Sequence, residues 1–175
     1  MEAVVKVTRL TRNRIADYIS TGTKAYNQHY THLWEEGDSS PYVQSSFATG
    51  VLERELAEVN SEHCVIDSKD GCIGILKLMT YQNLEPYQAS ECLLLEKIYL
   101  LKNATGRGFG KQVLQFVERR AEELGKKMVW LDTMKSGPAL SFYLQNGFDI
   151  HSETKLGLPG VIEERSAMYQ LVKKL

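Results

Sequence analysis

Only three cysteines occur among the 175 residues, Cys64, Cys72 and Cys92, with no CxxC pair and no histidine at a zinc-like spacing. That odd, scattered set argues against both a disulfide framework and a structural metal, and reads as reduced core thiols in a cytoplasmic protein. No apolar run approaches the ~18–20 residues of a membrane span. Met1–Leu10 alternates and carries Lys6 and Arg9 where a secretory signal would have its apolar core. An excess of charge of one sign is missing too. Lys and Arg total 21 against 22 Asp and Glu, a net charge of -1, which argues against the basic face of a nucleic-acid binder. There is no internal repeat and no low-complexity tract.

What is present is an ordinary globular composition, 43% apolar and 25% charged, in a length that suits one domain spanning residues 1–175. Val4, Val5 and Val7 predict a first strand. Thr11 is placed to cap a helix running to about Asn27, with Ile15, Tyr18, Ile19 and Ala25 near helical spacing. A polar and aromatic loop follows from His29 to Pro41. Phe47, Val51, Leu52 and Leu56 predict a second helix over 43–59, ended by Asn60 and weakened by Gly50.

Two β-rich runs, His63–Ile66 and Cys72–Met79, flank Ser68-Lys69-Asp70-Gly71 and predict an antiparallel hairpin. A polar connector, Tyr81–Ser90, leads to the run Cys92–Leu101, apolar enough to be a central strand. Val113, Leu114, Val117, Ala121 and Leu124 then recur at helical spacing, with Gly125 as C-cap. Met128–Met134 reads as a strand joined to the central run by a right-handed crossover, and so parallel to it. Pro138 starts a last helix that runs to Gln145, and strands near Phe148–Thr154 and Ala167–Val172 close the chain.

Between the central run and its crossover helix lies Gly106-Arg107-Gly108-Phe109-Gly110-Lys111. Glycines let a backbone approach a ligand, and a helix start offers unpaired N–H groups and about half a positive charge. The segment is therefore a candidate anion site, supplemented by Arg107 and Lys111. It is not a P-loop, because Gln112 follows Lys111 and Thr105 stands five residues before Gly110. Val113 occupies the third small position of a dinucleotide fingerprint.

Thr105-Gly106-Arg107-Gly108-Phe109-Gly110 resembles the [QR]xxGx[GA] acetyl-CoA loop of the GCN5-related N-acetyltransferase superfamily. The segment Ala139-Leu140-Ser141-Phe142-Tyr143-Leu144-Gln145-Asn146-Gly147-Phe148 is similar to the AxxFYxxxGF signature of that family. Leu95-Glu96-Lys97-Ile98-Tyr99-Leu100 and Trp130-Leu131 are the features closest to bacterial polyamine acetyltransferases. The chain departs from the pattern at Thr105, where the family prefers Gln or Arg, at Ser136, where many members carry Asn, and at Leu94, where some carry a catalytic Glu.

The resemblance implies an α/β (mixed α+β) fold whose central sheet of about seven strands is mixed, mostly antiparallel, and flanked by about four helices. It also implies a splayed parallel pair ending at Leu100 and Met134 that holds the pantetheine arm of acetyl-CoA. On that basis the cofactor residues are Ile98, Tyr99 and Leu100 from the strand, the loop Thr105–Lys111, and Ser136. Tyr143 becomes the candidate general acid toward the leaving thiolate. A phenol with a pKa near ~10 can donate and be re-protonated from solvent, although the bare sequence also allows a core aromatic.

Glu96, a carboxylate in an apolar strand, is either the base that takes the proton of the acceptor ammonium or a structural ion pair with lysine neighbours or Arg107. Alternation would put it on one face with Ile98 and Leu100. The stretch Tyr26–Asp38 falls where this superfamily forms its acceptor wall, which makes His29, Tyr30, Trp34 and Glu35 candidate substrate residues, with Glu36 and Asp38 as further acidic groups. His29 and His32 form HxxH, a poor metal site without a third ligand. The expected activity is acetyl transfer from acetyl-CoA to a primary amine of a small, polyamine-like molecule, by direct attack and without a metal. A homodimer is left open. The alternatives are a non-catalytic acyl-CoA sensor, a peptide or protein N-acetyltransferase and a nucleotide-binding regulatory domain.

Overall fold

The computed structural model describes residues 4–175. Seven strands form one sheet: β1 (Lys6–Arg9), β2 (Ser61–Ser68), β3 (Gly71–Met79), β4 (Cys92–Leu100), β5 (Met128–Met134), β6 (Asp149–Lys155) and β7 (Ala167–Lys174), in the order β1-β2-β3-β4-β5-β7-β6. Every pairing is antiparallel except β4 with β5. The β2–β3 hairpin turns on Lys69-Asp70, with Gly71 at a φ of 96° that the turn requires.

Strand alternation divides the core. Leu76, Leu78, Leu93, Leu95 and Leu131 point to the face covered by α4 (Phe109–Glu123), through Val113, Leu114 and Val117, and by α5 (Pro138–Gln145). Val65, Ile75 and Met134 point to the opposite face, against Tyr18 and Tyr26 of α1 (Ile15–Tyr30), Phe47 of α2 (Ser40–Phe47) and Leu52 of α3 (Thr49–Glu55). The connector before β4 packs on Trp130, whose indole N–H donates to the Gln82 carbonyl at 3.3 Å.

Three expectations change. The helix foreseen over 43–59 is two, α2 and α3, which brings the roughly four helices expected to five among the described residues. Pro41 sits in the first turn of α2, which therefore starts before Val43, and Ala48 takes an extended conformation (φ −66°, ψ 141°) between the two. The break lets Phe47, 2% exposed, turn into the core against α1. Thr11 does not cap α1, because its hydroxyl turns to the Asn13 carboxamide and a short 3-10 turn, Arg12–Arg14, intervenes. Finally, α1 continues to Tyr30 and absorbs His29 and Tyr30, since no Gly or Pro interrupts the chain between Gly22 and Gly37.

A ladder of charges fastens α3 to the sheet. Glu55 bonds His63 of β2 at 2.8 Å and Lys77 of β3 at 3.0 Å, and Lys77 reaches Glu96 of β4 at 2.9 Å. Burial alone would raise the Glu55 carboxyl, but the bonds from His63 and Lys77 and the lysine charges outweigh it and pull the pKa down to about 2. A lowered carboxylate stabilises the fold above its unfolded value and loses that contribution as the pH falls.

Two outcomes follow. Urea titrations of wild type and Glu55→Gln should converge as the pH falls from about 4.5 to 2, because only the wild type has this contribution to lose. A gap that stays constant across that window would show that Glu55 contributes by packing and not by charge. At Gly22, a Cβ would lie 2.5 Å from the Phe47 ring. Gly→Ala in a helix ordinarily stabilises by ~1 kcal/mol. Here Gly22→Ala should destabilise by about 1–3 kcal/mol through overpacking, read as a lower urea midpoint.

Candidate active site

The site is built on an interruption of the sheet. β4 and β5 pair only through Cys92, Leu93 and Leu94 opposite Met128, Val129 and Trp130. Just beyond, the β3–β4 register steps from Leu78 opposite Leu95 to Lys77 opposite Lys97, which leaves Glu96 as the extra residue of a bulge. Bulges bend a strand and increase its twist, and here the bend coincides with the parting of the two strands. The Leu101 N–H donates to Ile73 at 2.8 Å on the β3 side. By alternation the backbone groups of Ile98 and Leu100 face the gap. The Leu100 carbonyl meets the His29 ring there, with Nε2 at 3.0 Å.

Two cavities meet at this gap. The larger, about 480 Å³, runs along the starts of α4 and α5 and is lined by Ile98, Tyr99 and Leu100, by Thr105, Gly106, Gly108, Gly110 and Lys111, and by Ser136, Gly137 and Tyr143, with His29, Tyr30 and His32 at its side. The smaller, about 100 Å³, passes through the sheet to the α1–α2 side, between Tyr26, Tyr30, Tyr42, Tyr99, Glu96 and Asp132. Tyr30, Ile98, Tyr99, Met134, Ala139 and Tyr143 belong to both and form their junction.

The glycine loop fits a phosphate group. Gly106 and Gly108 have φ of 72° and 80°, and Gly108 is the N-cap of the 15-residue α4, whose first turn carries no acidic residue. A Cβ on either glycine would meet open space, so the backbone conformation and not packing calls for glycine there. Lys111 lines the cavity and forms no ion pair among the described residues. Arg107 is used differently: its guanidinium meets Asp70 at 3.3 Å and lies over the Phe109 ring, 4.8 Å from its centroid. Phe109 is itself 1% exposed in the core. Arg107 and Phe109 thus offer the cavity backbone at most.

Tyr143 is almost enclosed, with its ring against Phe142 and Phe148, and burial pushes its phenol well above the ordinary tyrosine range. Glu96 does not share the face of Ile98 and Leu100. The bulge turns it to the α1–α3 side, where its carboxylate contacts Lys77 at 2.9 Å and Lys97 at 3.3 Å. Burial would raise the Glu96 carboxyl, and the two ammonium groups more than offset this, leaving it below the usual range. This is the ion pair that the sequence had left as the alternative to a base. The nearly buried Lys97 is itself lowered by burial.

The acceptor wall differs from expectation at two residues. Trp34 is 1% exposed, donates its indole N–H to the Tyr26 hydroxyl at 3.0 Å, and lines neither cavity. Glu35, Glu36 and Asp38 are exposed outside both cavities. The cause is backbone pairing with a later loop: Glu35 N–H donates to Gly160 and Ile162 N–H to Leu33, each at 2.8 Å, which turns Trp34 inward and Glu35 outward. Asp38 instead accepts from the Ser40 N–H at 3.0 Å, just before α2. His29 and His32 lie beside the larger cavity, and no cluster of metal-binding residues occurs among the described residues. Asp132 and Tyr42 were not foreseen as site residues, and Tyr26 was included only as the start of the acceptor-wall stretch. A lone carboxylate in the apolar strand Met128–Met134 is the same signal that had singled out Glu96, and it applies equally to Asp132.

Comparison with known proteins gives the same architecture. The model of the acetyltransferase (GNAT) family matches residues 23–148. An N-acetyltransferase of Lactobacillus delbrueckii subsp. lactis from the pepI 3′ region is 23% identical over 150 residues, covering 85% of this chain and 87% of the relative. The PaiA N-acetyltransferase of Thermoplasma acidophilum, solved with coenzyme A, superposes with a TM-score of 0.77 at 15% identity, covering 98% of this chain and 99% of that one. A spermidine N-acetyltransferase of Vibrio cholerae, solved with CoA and spermine, gives 0.69 at 12% identity, covering 97% and 95%. With the parted strands, the glycine-capped helix and a family match over most of its length, the chain belongs to the acetyltransferase (GNAT) family.

Proposed function

We propose that this acetyltransferase moves the acetyl group of acetyl-CoA to a primary amine of a small polycation of the polyamine class, by direct attack of the amine. The observation that carries the reading is the pair of cavities joined at the parted strands. The larger has a phosphate cradle at one end, and the smaller is walled by five tyrosines and two carboxylates. Aromatic rings and carboxylates are the groups that hold alkylammonium ions. The fold shared with a spermidine acetyltransferase is compatible with such an acceptor.

In this reading the α4 N–H groups and Lys111 hold the pyrophosphate, and the gap-facing backbone of Ile98 and Leu100 orients the pantetheine arm. When bound, acetyl-CoA supplies the activated acyl carbon. Tyr143, at the junction, keeps its proton across the working pH range and offers it to the departing sulfur. A cysteine intermediate is disfavoured. Cys64 and Cys92 are buried, the Cys64 thiol is pushed up to about 12 by burial, and none of the three cysteines lines either cavity.

A panel of amines assayed by release of free CoA tests the reading. Di- and polyamines should turn over best, with kcat/KM falling as ionic strength rises. Preference for amino acids or neutral amines, or turnover of none, would overturn it. In Tyr143→Phe, turnover should fall ~100-fold with the KM for acetyl-CoA within about threefold, because only the hydroxyl is lost. A fall of less than about threefold would make Tyr143 a packing residue and leave solvent as the acid.

A further inference from the structure

We propose that Asp132 is the carboxylate that receives the acceptor ammonium at the parted strands and takes its proton before attack. The inference rests on the amine-acceptor reading above and assigns the base within it. Asp132 lies on β5 two residues past Trp130, the last residue to pair with β4, and so stands at the mouth of the gap. It lines the smaller cavity together with Glu96 and the tyrosines at 26, 30, 42 and 99.

The two carboxylates of this cavity are in opposite states. Glu96 is held between two lysine ammonium groups, and protonating it would leave Lys97 without its contact carboxylate and Lys77 with Glu55 alone. Asp132 forms no ion pair among the described residues, and its side-chain hydrogen bond comes from Gln170, its partner across the β5–β7 ladder. The Gln170 amide oxygen accepts from the Ser152 hydroxyl at 2.6 Å, which leaves the amide N–H for Asp132. Asp132 is open to solvent at the cavity, and its partial desolvation raises the carboxyl, with the Gln170 bond opposing this only in part.

The other titratable groups lining the cavity are Glu96 and tyrosines, of which Tyr26, Tyr30, Tyr42, Tyr99 and Tyr143 are all raised by burial and therefore neutral. Behind Asp132, on β6 and β7, stand the neutral Ser152 and Gln170. Lys135, further along the chain, is engaged by Glu153 at 2.7 Å. A cation entering the cavity meets one carboxylate without a cationic partner.

The protons balance. Asp132 takes one from R–NH3+, giving R–NH2. The nitrogen lone pair forms the N–C bond to the acyl carbon, and the C–S bond breaks with its electron pair going to sulfur. Tyr143 protonates that sulfur and recovers a proton from the nitrogen through water. Asp132 then releases its proton to solvent, which accounts for the one proton lost in converting an alkylammonium and a thioester to an amide and a thiol.

The test begins with a readout that needs no turnover. In CoA-saturated protein labelled with 13C at aspartate carboxyls, the resonance missing from Asp132→Asn should titrate above the ordinary aspartate range, and higher still in Gln170→Leu. Spermine, used as a binding probe on the same complex, should bind at least tenfold more weakly to Asp132→Asn, with CoA affinity unchanged. With the best amine of the panel, Asp132→Asn should lose ~100-fold in kcat/KM, and the acidic limb of the pH profile should disappear. That limb should move to higher pH in Gln170→Leu, a shift that a purely structural aspartate would not give. A carboxyl titrating at or below the ordinary range, spermine affinity unchanged in Asp132→Asn, or an acidic limb that persists there, would each overturn the assignment. If no amine is acetylated by wild type, the function reading fails, while the titration and the spermine affinity still decide Asp132. Should Asp132→Asn not fold, the Gln170→Leu shift decides it.

Discussion

The site depends on β4 and β5 ceasing to pair after Leu94 and Trp130. Two parallel strands joined by a crossover helix would ordinarily continue their ladder, and each unpaired backbone group left in a protein interior is costly. Here the ladder stops in mid-sheet, and the gap-facing groups of β4 need other partners. The His29 ring serves the Leu100 carbonyl from α1, and Gln28 on the same helix accepts from the Lys102 N–H at 2.8 Å. α1 thus holds the end of β4 in place of β5. The remaining edge is what an extended amide-bearing ligand would pair with.

That opening is maintained by charges as well as by backbone. The bulge that bends β4 puts Glu96 at the cleft, and an isolated carboxylate there would oppose folding. Lys77 and Lys97 offset it, and Glu55 in turn holds Lys77, so α3, β3 and β4 are joined through one chain of alternating signs. Burial acts on both lysines in the same direction, yet Lys77 ends raised and Lys97 lowered. Lys77 has two carboxylates at contact distance and Lys97 has one, with Lys77 as a like-charged neighbour. The gain from such a network is less in net stability than in geometry, because breaking any one pair strands a buried charge.

Much of the fold was legible because it rests on local signals. The hairpin announced itself through Lys69-Asp70-Gly71, the crossover helix through its apolar spacing, and the cradle through Gly106 and Gly108, whose positive φ makes glycine necessary. The site residues divide by the same criterion. Gly106, Gly108, Lys111 and Tyr143, carried by motifs, line the cavities. Trp34 and Glu35 do not, because their orientation is set by backbone pairing with Gly160 and Ile162, more than a hundred residues away. The face of Glu96 was misjudged for a related reason. Alternation assumes an unbroken ladder, and the bulge belongs to the pairing of β3 with β4 and not to the sequence of β4 alone.

The tyrosines give the smaller cavity a wall that is rigid and uncharged. Phenylalanines would line it with equal apolar area, but the hydroxyls tie the wall together. Tyr42 and Tyr99 share a hydrogen bond at 2.5 Å, and Tyr26 accepts from Trp34, which itself anchors the loop behind it. Burial raises all of these phenols, so they bond without ionising and add no charge of their own. Their ring faces still favour a cation. With Glu96 offset by lysines and the wall neutral, Asp132 is the lining carboxylate that has no ion-pair partner among the described residues. In the proposed reading an ammonium would pass the rings to reach that carboxylate at the mouth of the gap.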